Sequence, residues 1–131
     1  MNYIKPYLIF NCLVWIPWGL ICIFDTGQIA GIIGVTSVDA TGNTDLRVMY
    51  GGVQFAVGLM AAHALYNRVN FRNFVYALAF LGSCMALSRG YGLLVDGSST
   101  VYTWGVLAFE SFAGITGILW LRTLSRPTGN P

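Results

Sequence analysis

Arg47, Gln54, Arg89 and Glu110 carry charge or a strong dipole inside stretches otherwise apolar enough for lipid. Such side chains are costly in a membrane helix, turn away from hydrocarbon and mark a site by default. Two arginines set against one buried glutamate leave an excess positive charge. An anionic head group would neutralise it, unless Asp45 or Asp96 folds back to do so. Alternatively, a Glu110–Arg89 pair serves only to fix helix packing, as buried polar groups sometimes fix register. As an enzyme, the chain would use Glu110 as acid or base and an arginine to hold phosphate, but no second catalytic group stands beside them. Ser88 and Ser111 have no histidine nearby to activate them. The lone His63 and the scattered Cys12, Cys22 and Cys84 fit neither a metal site nor a redox pair. The sequence therefore implies no metal and no cofactor, and an enzyme is the less favoured class.

These residues need helices to place them. Successive helical residues turn by about 100°, which puts Arg47, Gly51, Gln54, Gly58 and Ala61 on one face, with Tyr50 at its edge. The next apolar stretch groups Leu78, Gly82, Met85, Arg89 and Asp96, and the last groups Thr103, Glu110, Gly114 and Gly117. Each stripe is polar in one half and small in the other. Small residues let helix backbones approach in lipid, so Gly51, Gly58, Gly82, Gly114 and Gly117 are expected packing positions and the three stripes are expected to face one another. At about 1.5 Å per residue, Glu110 lies roughly 13 Å into its helix and Arg89 roughly 9 Å from the end of its own. The predicted ligand-binding set is Arg47, Tyr50, Gln54, Arg89, Asp96 and Glu110, meeting in a pocket in the outer half of the membrane. His63 falls on the face opposite Arg47, and Asn11 reads as hydrogen-bonding glue between helices.

Composition supports the membrane setting. Of 131 residues, 56% are hydrophobic and 9% charged, against about a quarter charged in a soluble domain. A bilayer needs about 20 apolar residues per helix, and the chain provides four such stretches, over 6–24, 45–66, 74–95 and 101–121, in a single all-α transmembrane domain. Pro17 is expected to kink the first. Residues 25–44, rich in Gly, Thr, Asp and Ser around an apolar patch, read as an outer loop, interfacial or partly inserted. Asn43, Thr44 and Asp45 are the expected cap of the second helix. The first stretch is too long for a secretory signal core and has no clear small-residue cleavage site after it. Lys5, Arg68, Arg72, Arg122 and Arg126 gather at the N-terminus, the second connection and the C-terminal tail. Four crossings place these on one side, which makes both termini cytoplasmic and the bundle antiparallel in the inner membrane. The net charge of +2 comes without any Lys/Arg-rich run, so nucleic acid is excluded as a partner.

The segment Asp45-Leu46-Arg47-Val48-Met49-Tyr50-Gly51-Gly52-Val53-Gln54, with Ser88-Arg89-Gly90-Tyr91-Gly92-Leu93-Leu94-Val95-Asp96-Gly97 and Phe109-Glu110 after it, resembles a bacterial family of small four-helix membrane proteins catalogued as a domain of unknown function. The likeness runs from the first outer loop through the last helix. In that family the residue before the second arginine is often glycine, where this chain has Ser88. The resemblance implies the four-helix fold and the same six polar positions, and implies no activity.

Three functions follow from these readings. The first is a non-enzymatic binding or accessory protein whose outer pocket takes a lipid-like or anionic head group, or whose small-residue face takes a partner helix; membrane lipid, a protein partner or a second copy would be its partners. The second is a small-solute or ion transporter working as an oligomer, weakened by the lack of polar steps below Gly58 and Gly114. The third is a lipid-modifying enzyme.

Overall fold

A computed structural model describes residues 4–67, 71–97 and 100–124. Arg68, Ser98, Ser99 and residues 125–131, with Arg126, lie outside them. All regular structure among the described residues is helical: α1 (Ile4–Phe24), α2 (Gly27–Ile33), α3 (Ala40–Tyr66), α4 (Phe71–Asp96) and α5 (Val101–Leu124). Helices α1, α3, α4 and α5 are each long and apolar enough to cross a membrane, which marks a membrane protein. Pro6 falls in the first turn of α1, where backbone N–H groups have no helical partner to lose. Pro17 lies inside α1, which continues past it.

Two expectations are corrected. The segment 25–44 is not loop throughout, because Gly27–Ile33 forms a helix. The Asp25 carboxylate accepts bonds from the Gly27 N–H at 2.9 Å and the Gln28 amide at 3.2 Å. Gly34 then ends the helix in the left-handed conformation, φ 81°, where glycine has no Cβ to strain. Ile29, fully buried, anchors the turn. The second correction is the start of α3, which begins at Ala40 rather than near residue 45. Extended Asp39 is the true cap, accepting the Gly42 N–H at 2.8 Å. Thr44 is already inside the helix, its hydroxyl donating to the Ala40 carbonyl at 3.1 Å.

Within α3, Arg47–Gly52 forms a π-helical segment, and the Val53 N–H donates to Val48 O, five residues back. Such a wide turn breaks the 100° arithmetic on which the stripe of this helix rests.

The described chain divides into two compact units. One holds Leu8–Tyr66. Its seam joins α1 to α3 at glycines: a Cβ on Gly19 would fall 2.6 Å from Phe55 N, one on Gly51 2.8 Å from Ile23 N, and one on Gly58 2.9 Å from Ile16 N. Gly51 and Gly58 thus meet α1, a helix for which the stripe argument has no place, because α1 contributes one small residue to the seam rather than a series. Asn11, almost fully buried, accepts the Trp15 indole N–H at 3.2 Å.

The other unit holds the start of α1 through Tyr7 and the chain from Asn67 onward. Here α4 and α5 pack on each other. Phe71 meets Trp120 edge to face at 4.9 Å, Gly117 backs on Ala79, and Gly82 backs on the Gly114 backbone. The buried Tyr7 hydroxyl donates to the Ala113 carbonyl at 3.0 Å.

Candidate functional site

Arg89, three-quarters of the way along α4, and Glu110, near the middle of α5, meet directly. The Nε of Arg89 donates to Oε2 of Glu110 at 2.9 Å and its Nη2 to Oε1 at 2.8 Å, a two-pronged guanidinium–carboxylate pair. The Glu110 side chain is 0% exposed and that of Arg89 26% exposed. Glycine lets the two helices come close enough for this: a Cβ on Gly82 would lie 3.1 Å from the Glu110 carbonyl oxygen. The carboxylate is therefore sealed behind the guanidinium, and the guanidinium is the part that reaches the surface.

That surface is concave. An open depression of about 410 Å³ is lined by Cys84, Met85, Ser88, Arg89 and Glu110. Tyr102 stands at its charged end, with the Arg89 guanidinium carbon 6.0 Å from the ring centroid, the range of a cation–π contact. The ring is placed by the start of α5, where the Thr100 hydroxyl accepts the Thr103 N–H at 3.2 Å and meets the Thr103 hydroxyl at 2.9 Å. Tyr102 is absent from the sequence-predicted set, since an aromatic at a helix end looks the same whether it faces lipid or a neighbouring cation. Cys84 lies one position round the helix from the Met85–Arg89 stripe, so it too escapes a strict same-face criterion.

Of the remaining candidates, Asp96 lies on α4, and Arg47, Tyr50 and Gln54 belong to the Leu8–Tyr66 unit. Asp96 ends α4 exposed, its carboxylate beside Gly92. In the Leu8–Tyr66 unit, Arg47 and Tyr50 lie in the π-helical segment, and an Arg47 Nη donates to the Ile23 carbonyl of α1. Arg47 thus satisfies a backbone acceptor in its own unit. Gln54 follows one turn later, its buried Oε1 without a hydrogen-bond partner among the described residues. His63 is exposed. Cys12, Cys22 and Cys84 are free thiols. Among the described residues, no three His, Cys, Asp or Glu side chains gather as a metal site would require.

Compared with known proteins, the chain finds no match among curated proteins and none among solved structures. A family model described as Domain of unknown function (DUF4345) matches residues 4–121, nearly the whole chain, and the protein belongs to that family.

Proposed function

We propose that this protein is a non-enzymatic binding or accessory protein of the inner membrane, whose Arg89–Glu110 depression takes the polar head of a lipid-like molecule. The observation that carries this reading is the asymmetry of the pair: a carboxylate with no exposure, held on both oxygens, behind a guanidinium that remains partly open to a concave surface. A pair built only to lock two helices has no need of an open face. Because Glu110 matches the Arg89 charge, the depression presents oriented polarity more than net charge, which suits a polar head group with an anionic member held close to the guanidinium. Four spans, an antiparallel bundle and cytoplasmic termini complete the proposal. They are supported by the gathering of basic residues at the two ends and the second connection. The contact order, in which Phe71 meets Trp120, Ala79 meets Gly117 and Arg89 meets Glu110, supports opposed directions for α4 and α5.

The test is native mass spectrometry of the protein released gently from its own membrane, comparing wild type with Arg89→Met/Glu110→Gln. The paired replacement removes both charges and leaves no orphan ion. The wild type is expected to carry one discrete lipid-like mass that the double variant lacks. A bare wild-type chain, or a wild type that carries no mass beyond those the double variant also keeps, sinks the head-group reading. A protein partner retained by both would make the cluster structural and the chain an accessory subunit.

A further inference from the structure

A second concave site lies on the same pair of helices and uses none of these residues. A groove of about 460 Å³ runs between the first turns of α4 and the last turns of α5. Arg72, the second residue of α4, and Arg122, in the last turn of α5, both exposed, stand at its mouth beside Asn73. Its walls are apolar: Tyr76 and Phe80 stack along one side, ring centroids 6.3 Å apart and 14° from parallel, with Ile118 and Leu121 opposite. At the inner end is Ser83, whose hydroxyl is bonded to the Ala79 carbonyl at 2.8 Å. Among the described residues, no carboxylate lines the groove.

Length and charge together select the occupant. From Arg72 to Ser83 is eleven residues, roughly 16 Å along the helix axis, which is about half of a 30 Å hydrocarbon core. Two cations at the helix ends followed by one leaflet's depth of aromatic and aliphatic wall match a single phospholipid, phosphate at the mouth and an acyl chain inside. A soluble anion would use the mouth and leave the walls without purpose. A partner helix would need an interface far larger than a groove in the small-molecule size class. Tyr and Phe rings flanking arginines at a helix end are also what the membrane interface favours.

We infer that the α4–α5 groove is a binding site for one anionic phospholipid, with Arg72 and Arg122 holding the phosphate and Tyr76, Phe80 and Ile118 lining the acyl chain. The site is separate from the Arg89–Glu110 depression and rests only on these helices lying in a membrane. Basic pockets between membrane helices attract anionic head groups in this way.

The full-length protein, delipidated and offered phosphatidylglycerol or phosphatidylcholine of identical chains, tests this by native mass spectrometry. The wild type is expected to keep one phosphatidylglycerol, favoured over phosphatidylcholine by about tenfold or more. Arg72→Gln/Arg122→Gln should lose that preference, Arg72→Lys/Arg122→Lys should restore most of it, and Arg89→Met/Glu110→Gln should leave it intact. Both groove arginines are exposed, so thermal unfolding of these variants should match wild type. Equal retention of the two lipids by the wild type, or an unchanged preference in the glutamine pair, would overturn the proposal. A lysine pair as deficient as the glutamine pair would overturn charge as the basis of recognition. If the preference instead vanishes only in Arg89→Met/Glu110→Gln, the lipid belongs to the depression and the groove is empty of function.

Discussion

The two units solve one problem, joining helices in lipid without a hydrophobic driving force, in different ways. In Leu8–Tyr66 the seam is backbone against backbone: Gly19, Gly51 and Gly58 admit Phe55, Ile23 and Ile16 to distances that any Cβ would violate. Here Arg47 donates to the Ile23 carbonyl and Trp15 to Asn11, while the buried Gln54 Oε1 has no hydrogen-bond partner among the described residues. In the α4–α5 unit, glycine is again at the seam, but backbone atoms come no nearer than 3.1 Å to a Cβ placed on Gly82, Gly114 or Gly117, against 2.6–2.9 Å at Gly19, Gly51 and Gly58, and its deepest polar group is a full carboxylate matched by a guanidinium. A seam made of backbone tolerates little change. A seam that includes an ion pair with one open partner can be both structural and functional. Both proposed sites, the Arg89–Glu110 depression and the groove at Arg72 and Arg122, lie in the α4–α5 unit.

The largest test of that contrast is the ion pair. Removing Arg89 alone leaves a fully buried carboxylate unmatched, and breaking buried pairs in this way costs about 3–5 kcal/mol. Arg89→Met is therefore expected to lower stability by several kcal/mol in denaturant titration of the purified protein. Arg89→Met/Glu110→Gln should recover much of the loss, because nothing charged remains buried. A double variant no better than the worse single would show that the pair is not what holds α4 to α5.

Next in size are the seams themselves. Gly19→Ala drives a methyl onto Phe55 backbone atoms, 2.6 Å from N and 2.7 Å from Cα, and should destabilise by about 1–3 kcal/mol, the range for overpacking a tight contact. Gly114→Ala meets the Ser83 hydroxyl at 2.6 Å but its backbone N only at 3.1 Å. A hydroxyl can rotate away, so the loss should be smaller. Gly105→Ala, with nothing within 4 Å, should be neutral or stabilise slightly. Thermal unfolding of the three in one detergent ranks them directly; Gly114→Ala proving worse than Gly19→Ala would erase the distinction between the two seams.

What the sequence reveals follows the same division. Four spans are legible because length and hydropathy are all that crossing a bilayer demands. The meeting of Arg89 and Glu110 is legible because ionisable residues on regular helices keep their phase and must find each other in lipid. Arg47 was harder, because the π-helical turn of Arg47–Gly52 resets the angles around it and hands its guanidinium to a carbonyl on α1. Gly19 is a single glycine among large residues, with no periodic partner in its own helix to announce a seam. The helix Gly27–Ile33 is too short for periodicity to distinguish from a glycine-rich loop. The α4–α5 groove joins two arginines fifty residues apart, and only the packing of the helices brings them to one mouth.

The smallest expected effect concerns the start of α3, where two aspartates compete for one role. Asp45 lies near the sequence-expected cap, but it is exposed on a helix already formed, so Asp45→Ala should change stability by only a few tenths of a kcal/mol. Asp39 accepts the Gly42 N–H at 2.8 Å, and Asp39→Ala should cost about 1 kcal/mol, with Asp39→Asn or Asp39→Ser close to wild type. Amide exchange locates the effect: in Asp39→Ala, the amides of Ala40–Leu46 should exchange faster while those of Val53–Tyr66 keep wild-type protection. The π-helical turn lies between these segments, and its hydrogen bonds are already wider than those of an α-helix, so fraying that starts at Asp39 should stop there. Faster exchange spreading through Val53–Tyr66 would mean that the cap holds the entire span, and that the Leu8–Tyr66 unit depends on its wet end as much as on its glycine seam.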